Sequence, residues 1–400
     1  MGRRGSDLPA SRRPTVKLRK GHRKVEQTLA LATQHGFKFA WVDTCCINKT
    51  SSAELSEAIN SMFHWYQQAE VCYVYLSDLD PGAELASALG SCRWFTRGWT
   101  LQELIAPRDV IFYDSVWGHR GTKTDLSGLL ERITGIPKDL LHHRTAPCDY
   151  PVACRMSWAS QRQTTRIEDT AYCLVGIFDV YMSPRYGERT KAFQRLQHAI
   201  IVQSVPDLTI FAWTDHEKRC PDICGMIAES AGQFRGCSSM RNGLGLSAHR
   251  FLRATIREIE VAAIIGLHDT PGAPTQLFLE GCGAVDGVQV GVALRKVGVN
   301  TFARHNPATL VKIHHECDAL PKATVILASF LPGQYQFHRD NVVLGHRHAT
   351  LLPTIFGSKR LDSFEFDFST VHGCGEGPFP FGHWDTQDGV FFSTETMSEG

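Results

Sequence analysis

The sequence has no apolar run that approaches the roughly 18 residues needed to cross a membrane. No apolar segment of the kind found in secretory signal peptides follows its start. Its 42 lysines and arginines almost balance its 41 aspartates and glutamates, so a net charge of +1 gives the molecule no general attraction for nucleic acid. These absences predict a cytoplasmic protein with no transmembrane segment and no nucleic-acid partner.

Paired C-x-x-C motifs are also absent, although the chain has 13 cysteines. The count is odd, and Cys45, Cys46 and Cys72 lie inside apolar runs, which is typical of small buried side chains in a reducing compartment. The groups nearest to metal spacing are Cys220-x-x-x-Cys224 with Cys237, and His314–His315 with Cys317. Neither has the paired spacing of a zinc site, so we expect no metal at either.

Two or three domains are expected, because 400 residues exceed what one ordinary core holds. Residues 1–24 are dense in arginine and lysine with little to bury, which predicts a disordered basic arm. Its start, Met1–Gly2 with Ser6, fits the loose pattern for N-terminal myristoylation, and the basic run would supply a second membrane signal. A solvated tail without lipid is the interpretation we prefer.

Residues 25–145 alternate between helical and strand patterns. Strands are predicted at residues 39–43, 71–76 and 110–113, and helices at residues 25–36, 51–66, 99–106 and 126–133. Short connections between such elements predict a parallel, doubly wound sheet whose ligands bind beyond the carboxyl ends of the strands. Asp43, the pair Ser77–Asp78 and the turn at residues 91–99 follow strand ends, and we therefore expect them to meet in one cleft.

Two of these elements carry more specific expectations. The strand at residues 71–76 is almost continuously apolar or aromatic, as is typical of a strand covered on both faces. Ser51 and Glu54 have the spacing of a capping box at the start of the helix at residues 51–66.

The stretch from Ser91 to Tyr113 concentrates the side chains that bear on function. Glu103 lies in a short predicted helix, one turn after Trp99, and a turn rich in arginine and aromatic residues precedes it. A carboxylate in this setting is either a structural ion-pair partner or an acid in a cleft. The residues alone leave both interpretations open.

The second half of the chain has a different texture. Residues 156–213 carry amphipathic helical patterns, and from residue 214 onward short β-prone runs are separated by Gly, Pro, Asn and Asp. This predicts an antiparallel β domain, either a sandwich or barrel-like.

Several long motifs resemble the fungal heterokaryon-incompatibility (HET) domain with its helical extension. They are WVDTCCINKTSSAELSEAINSMFHWYQQAEVCYVYLSD, CRWFTRGWTLQELIAP, MSWASQRQTTRIEDTAYCLVGIFDV and YGERTKAFQRLQ, and the likeness covers about residues 20–213. HET domains are similar in fold to TIR domains. The resemblance therefore implies a TIR-like (flavodoxin-like) α/β domain at residues 25–145, a helical extension at residues 146–213 and a β-rich C-terminal domain at residues 214–400.

The same resemblance implies a role in non-self recognition and programmed cell death, acting through other proteins or self-association. Some TIR domains cleave NAD at the nicotinamide–ribose bond, using a glutamate in a W-x-x-x-E-like helix. Trp99-x-x-x-Glu103 matches that helix, so Glu103 is the implied catalytic residue, with NAD as substrate and no cofactor. Its carboxylate would bind the ribose hydroxyls and stabilise the oxocarbenium-like charge as nicotinamide leaves.

The resemblance also suggests substrate-binding candidates: Trp94 or Trp99 for stacking on a ring, Arg93 or Arg97 for the pyrophosphate, and Asp43 as a second polar group. Each has a structural alternative. A place in the core is the more ordinary role for Trp99 than stacking on a ligand. Pairing with Glu103 suits Arg97 as well as contact with a phosphate does, and Asp43 is suited to capping backbone amides.

Two departures from the family pattern qualify these expectations. Nothing in residues 1–37 resembles the usual first strand, Y-x-x-L-S-x-x-W-G, which in a flavodoxin-like order lies inside the sheet. Arg189 in YGERTKAF also replaces a glycine. A sheet without its first strand predicts impaired NAD cleavage, whether the reading frame is truncated or the paralogue is degenerate. A non-enzymatic interaction module and an inactive paralogue are the alternatives.

Overall fold

The computed structural model describes residues 21–204, 207–242, 251–254, 258–266, 275–283, 289–298, 301–313, 322–328, 348–351, 364–367, 382–385 and 390–393. It divides into two compact units, of which the first comprises Met1–Asp149 with Gln161–Ala192 and the second Tyr150–Ser160 with Phe193–Gly400. The predicted helical extension at residues 146–213 is thus divided between the two units. Most of the predicted basic arm and its myristoylation pattern lie outside the described residues.

The four helices predicted in residues 25–145 form, with ends within three residues of the predicted ones. The helices are α1 (His22–Gln34), α2 (Asp43–Cys46), α3 (Ser52–Gln67), α4 (Leu85–Ala88), α5 (Thr100–Ile105), α6 (Ser127–Thr134), α7 (Lys138–Leu141), α8 (Val152–Ser157), α9 (Asp169–Tyr172), α10 (Val175–Phe178) and α11 (Lys191–Gln203). No helix in this described part of the chain is long and apolar enough to cross a membrane.

A mixed three-stranded sheet forms in the first unit, in the order β1 (Cys72–Tyr75), β2 (Val110–Tyr113) and β3 (His119–Thr122). β1 and β2 are parallel, with Cys72 opposite Val110, and β3 runs antiparallel to β2. The parallel pair confirms an α/β arrangement, but the sheet is not wholly parallel as predicted.

The prediction of a strand at residues 39–43 is wrong. Residues 39–42 form no strand, and Asp43 begins α2, where the Val42 carbonyl accepts hydrogen bonds from the amides of Cys45 and Cys46. Phe39 is 87% exposed and Val42 is buried, so the apolar run is covered only in part. A short apolar run does not by itself distinguish a strand from an extended loop that leads into a helix.

β1 alternates between buried and half-buried positions and is not covered on both faces. Cys72 and Val74 face the buried side, whereas Tyr73 and Tyr75 are half-buried. The ring of Tyr75 stacks on Trp117 with centroids 4.4 Å apart and an interplanar angle of 9°. His35, at the end of α1, also contacts this face, since its Nδ1 lies 2.6 Å from the Tyr73 hydroxyl.

The cap of α3 forms only in part as predicted. The Ser51 hydroxyl accepts a hydrogen bond from the Glu54 amide at 3.3 Å. The Glu54 carboxylate turns instead to the amide of Asn48, at 2.9 Å, so the reciprocal half of the capping box is replaced by a contact with the preceding loop.

The loop that contains Arg189 is held by a buried carboxylate. Glu168 accepts hydrogen bonds from the amides of Gly187, at 2.8 Å, and Arg189, at 3.1 Å. Arg189 has a φ of 55°, in the left-handed region that favours glycine. The position at which this chain departs from the family's glycine is therefore one where a Cβ is strained.

Replacing Arg189 with glycine is expected to stabilise the first unit by up to about 1 kcal/mol, because relief of the left-handed strain exceeds the extra chain entropy of glycine. The Arg189 side chain is exposed, so its removal sacrifices little packing. Thermal unfolding of Arg189→Gly and Arg189→Ala gives the comparison. Alanine retains the strain, and equal unfolding temperatures for the two variants would contradict the prediction.

The second unit is built mainly from β-strands. They are β4 (Ile223–Cys224), β5 (Arg241–Asn242), β6 (Phe251–Ala254), β7 (Glu258–Gly266), β8 (Thr275–Gly283), β9 (Gln289–Gly298), β10 (Thr301–His305), β11 (Val311–Ile313), β12 (Lys322–Ala328), β13 (His348–Leu351), β14 (Phe364–Asp367), β15 (Gly382–Asp385) and β16 (Val390–Ser393). β7, β8, β9, β10 and β12 pair in a closed circuit, as the barrel-like alternative predicts. The β10–β12 pair is parallel, an exception to the predicted antiparallel order.

Candidate functional site

The helix α5 presents Glu103 from an otherwise buried segment. Leu101, Leu104 and Ile105 are buried, and Gln102 donates a hydrogen bond through its side-chain amide to the Cys173 carbonyl at 2.8 Å. Glu103 is half-buried among these neighbours. Packing on both sides of the helix therefore fixes the direction from which the carboxylate emerges.

One side chain donates a hydrogen bond to the Glu103 carboxyl group: the Trp94 indole Nε1 lies 3.0 Å from Oε2. Tyr66 on α3 lies close enough for the charge of Glu103 to add to the rise that burial causes in the pKa of its phenol. Burial raises the pKa of Glu103, and the negative charge of Asp43 adds to the rise. The hydrogen bond from Trp94 and the positive charges of Lys24 and Arg97 oppose it.

The turn before α5 is fastened by a segment that lies far along the chain. Arg162 donates through Nη1 to the Arg97 carbonyl and to the Thr100 hydroxyl, both at 2.8 Å. The Gly98 amide donates to the Gln163 carbonyl at 2.8 Å, and the Gln163 amide donates to Thr96 at 2.6 Å. The motif around residues 161–164 therefore holds the turn that delivers Trp94 to Glu103.

The predicted cleft is divided between two places. Asp43 and Arg97 lie close enough to Glu103 for their charges to shift its pKa. Arg93 instead pairs with Asp78, which accepts a hydrogen bond from the Arg93 amide at 2.8 Å and lies 4.0 Å from its guanidinium Nε. The side chains that follow the predicted strand ends therefore do not all meet around the carboxylate.

The two candidate tryptophans differ in exposure and in contacts. Trp94 is 7% exposed, and its ring meets Phe95 and Phe112 edge to face, with centroids 5.0 and 5.8 Å apart. Trp99 packs against the apolar side of α3, and its proximity limits the rise that burial causes in the pKa of Asp169. Trp94 is therefore a hydrogen-bond donor to the carboxylate, and Trp99 is a half-buried residue packed against the core.

Sequence reasoning missed three residues of this site. Tyr66 ends the helix predicted at residues 51–66, Arg162 lies in the MSWASQRQTTRIEDTAYCLVGIFDV motif and Lys24 ends the predicted basic arm, but these positions assign none of the three to the site. A tyrosine at the edge of an apolar stripe is the one signal available, because a buried phenol needs a hydrogen-bond partner.

No metal centre accompanies the carboxylate within the part of the chain that the structure describes. No group of three or more His, Cys, Asp or Glu side chains there could hold a metal ion. Cys220, Cys224 and Cys237 are free thiols, and burial raises the pKa of Cys220 to about 11 and the pKa of Cys224 and Cys237 to about 12. His314, His315 and Cys317 lie outside the described residues.

Glu103→Gln is expected to raise the unfolding temperature at pH 7. The pKa of Glu103 is higher in the folded than in the unfolded chain, so the folded state loses stability as the pH rises through that folded pKa. Glutamine has no charge to bury and still accepts a hydrogen bond from Trp94. Melting curves at pH 4 and pH 7 test this: the gain should be larger at pH 7, and a gain independent of pH would contradict it.

Comparison with known proteins identifies two regions. Residues 8–89 match the Heterokaryon incompatibility protein (HET) family, and residues 191–274 match a domain of unknown function, DUF8212. Vegetative incompatibility protein HET-E-1 of Podospora anserina is 47% identical over 189 residues, which is 45% of this chain and 14% of that protein. The chain thus spans only a small part of its curated relative, and no solved structure matches it.

The extent of the HET match differs from the expected one. It begins at residue 8, inside the predicted basic arm, and ends at residue 89, before the turn and helix that carry Glu103. The match therefore supports the domain type without itself covering the carboxylate.

Proposed function

We propose that this chain, whose N-terminal part is a HET domain, acts in vegetative incompatibility as a component of non-self recognition and programmed cell death. The name and the 47% identity of the Podospora anserina relative support this role. Because the chain spans 14% of that protein, the activity and the partners of the whole relative are not transferred. Other proteins or further copies of this chain are the proposed partners.

A TIR-like arrangement of the first unit is part of the proposal. The parallel pair β1–β2, with α3 packed against α5, supports it. In such a unit Glu103 would act on NAD, and the first unit would be the enzymatic part of the protein.

The observation that carries the enzymatic proposal is the setting of the Glu103 carboxyl group. It is half-buried, it accepts a hydrogen bond from Trp94, and the phenol of Tyr66 and the cations of Arg97 and Lys24 lie near enough to interact with its charge. A fixed carboxylate in a partly desolvated site stabilises a developing cation more strongly than water does. The cations suit the phosphates of a dinucleotide.

The proposed reaction breaks the bond between C1′ of the ribose and the nicotinamide nitrogen. The bonding electron pair leaves with nicotinamide, and Glu103 stabilises the oxocarbenium ion that remains. Water then adds to C1′ and releases a proton, so that NAD and water give nicotinamide, ADP-ribose and a proton.

A non-enzymatic interaction module is the second candidate. Within the described residues β1 forms one edge of its sheet, and no strand pairs with its outer side. An unpaired strand edge offers backbone donors and acceptors to a strand from another chain. Phe39, at 87% exposure, adds an apolar side chain to the surface of the same unit.

Two measurements separate these candidates. Purified chain is incubated with NAD while free nicotinamide is quantified, and the chain is expressed in a fungal host while cell death is scored. Release of nicotinamide together with death supports the enzymatic proposal. Death without any release of nicotinamide supports the interaction module. If there is neither release nor death, both candidates are contradicted.

A further inference from the structure

Lys123 is a buried lysine, 1% exposed, that the proposed reaction does not use. It directly follows β3, and its side chain reaches the carbonyl end of α5. There its Nζ donates a hydrogen bond to the Leu104 carbonyl at 3.3 Å and another to the Pro107 carbonyl. The last carbonyl groups of a helix have no partners within the helix itself. The ammonium group therefore closes the end of the helix that carries Glu103.

His143 supplies the third contact of this ammonium group. Its Nε2 lies 3.1 Å from the Lys123 Nζ and 2.9 Å from the Pro107 carbonyl oxygen. The residue follows the end of α7 with a φ of 55°, in the left-handed region where helices commonly end on glycine. His143 is exposed although Lys123 is buried, so protons from solvent reach the imidazole first.

The three contacts of the ammonium group require an uncharged imidazole. An ammonium group has three N–H donors, and the two carbonyl oxygens and the lone pair of His143 Nε2 are three acceptors. The imidazole proton is then on Nδ1. Protonation of His143 would fill the lone pair on Nε2 and place a second positive charge beside the buried ammonium, with 3.1 Å between the two nitrogens. Two like charges this close in a partly desolvated place repel each other strongly.

The charged and titratable neighbours of this pair do not remove the repulsion. Asp109 favours the charged forms of both bases and Arg108 opposes a charge on His143, but both are exposed and screened by solvent. Cys72 on β1 is buried, and burial raises its pKa, so its thiol is uncharged near neutral pH. Burial lowers the pKa of Lys123 to about 8. Burial together with the charge of Lys123 lowers the pKa of His143.

We propose that Lys123 and His143 form an acid-sensitive latch on the carbonyl end of α5. While the imidazole is uncharged, the ammonium group holds the carbonyls of Leu104 and Pro107. When the imidazole takes up a proton, repulsion drives the two bases apart and the end of the helix loosens. Glu103 is the residue before Leu104, so the latch controls the helix from which that carboxylate emerges. The inference concerns this helix and does not depend on the cleavage of NAD.

The expected pH dependence follows from the lowered pKa of His143. Its pKa is higher in the open latch than in the closed one, so closure loses stability as the pH falls below the ordinary histidine value of 6.5. Uptake of one proton raises the open fraction by at most about tenfold per pH unit. Between pH 6.5 and pH 5.5 we therefore expect the protection of α5 amides from hydrogen exchange to fall about three- to fivefold.

The test is hydrogen exchange of the full chain at pH 5.5, 6.5 and 7.5, followed by mass spectrometry and corrected for the intrinsic effect of pH. Peptides from α5 report the latch, and peptides from α3 report general loosening of the unit. His143→Gln keeps a hydrogen-bonding side chain that does not titrate, so it should remove the pH dependence of α5. His142→Gln is the matched control, because this neighbouring histidine is not one of the three contacts of Lys123 described above. It should keep the wild-type behaviour.

Loss of the pH dependence in His143→Gln, with His142→Gln like the wild type and α3 unaffected, supports the latch. Protection of α5 that does not change with pH in the wild-type chain overturns it. An equal pH dependence in both histidine variants, or a parallel loss of protection in α3, overturns it as well. Lys123→Met is a second check, since His143 then has no ammonium to repel and the pH dependence should weaken. The assay contains no NAD, so its outcome is separate from that of the enzymatic proposal.

Discussion

Arg304→Leu is expected to destabilise the second unit by about 2–4 kcal/mol. The guanidinium is fully buried, and it donates through Nη1 to the Phe211 carbonyl at 2.6 Å and through Nη2 to the Trp213 carbonyl. It also stacks on the Trp213 ring, with Cζ 4.0 Å from the centroid. Leucine would leave two buried carbonyl groups without their charged donor and would remove the contact with the indole.

Part of this loss is offset, because leucine buries no charge. Burial lowers the pKa of Arg304 to about 10, because desolvation disfavours the charged form. Arg304→Lys tests the importance of geometry, since an ammonium group lacks the planar fork that reaches two carbonyls at once. We expect it to be nearly as destabilising as Arg304→Leu.

Urea unfolding followed by circular dichroism measures the effect, and Arg295→Leu supplies the control. Arg295 lies on β9 opposite Ala303 of β10 and is exposed, so its replacement should change the free energy of unfolding by less than about 0.5 kcal/mol. Equal free energies of unfolding for Arg295→Leu and Arg304→Leu would show that the buried guanidinium does not anchor the segment that contains Phe211 and Trp213.

Local signals in the sequence predict the helices and the parallel pair better than they predict the first strand. The apolar stripe after Ser51 gives α3, and the runs at residues 71–76 and 110–113 give β1 and β2. The run at residues 39–43 is equally apolar, yet no strand pairs with it. Strand formation depends on a partner elsewhere in the chain, and a short run carries no information about that partner.

The candidate site shows the same limit. Glu103 could be predicted as a site residue because its helix resembles the W-x-x-x-E-like helix of TIR domains. The residues that interact with its carboxyl group, however, come from distant segments of the chain. Tyr66 interacts with its charge from α3, and Arg162 binds Arg97 and Thr100 of the preceding turn from 65 and 62 positions further along the chain. Arg93 shows the converse, since its position beside the turn suggested a ligand contact, whereas its amide and guanidinium bind Asp78.

Glu103→Gln is expected to lower the rate of nicotinamide release by about 100- to 1,000-fold, the range found when one group that stabilises a transition-state charge is removed. Glutamine retains the size of the side chain and can accept the hydrogen bond from Trp94, but its neutral amide does not stabilise an oxocarbenium ion. Separation of nicotinamide from NAD by chromatography measures the rate. The effect on stability, described above, is in the opposite direction, so loss of activity would not reflect unfolding.

Glu131→Gln is the matched control for this substitution. Glu131 lies on α6, where its carboxylate accepts a hydrogen bond from the Lys138 amide at 3.1 Å and lies 3.9 Å from the Lys138 ammonium. This partly exposed pair has no contact with the proposed reaction, so the rate should stay within about twofold of wild type. A comparable loss of activity in both variants would show that Glu103 has no specific role.

Trp94→Phe should give a smaller loss of activity and a characteristic change in pH dependence. Phenylalanine preserves the contacts with Phe95 and Phe112 but removes the indole donor, a hydrogen bond to a charged group, and the rate should fall about tenfold. That donor lowers the pKa of Glu103, so its removal raises the pKa further. Because the reaction needs the ionised carboxylate, the acid limb of the pH–rate profile should move to higher pH in Trp94→Phe. A profile that falls in rate without moving along the pH axis would mean that the indole orients the helix rather than the charge of Glu103.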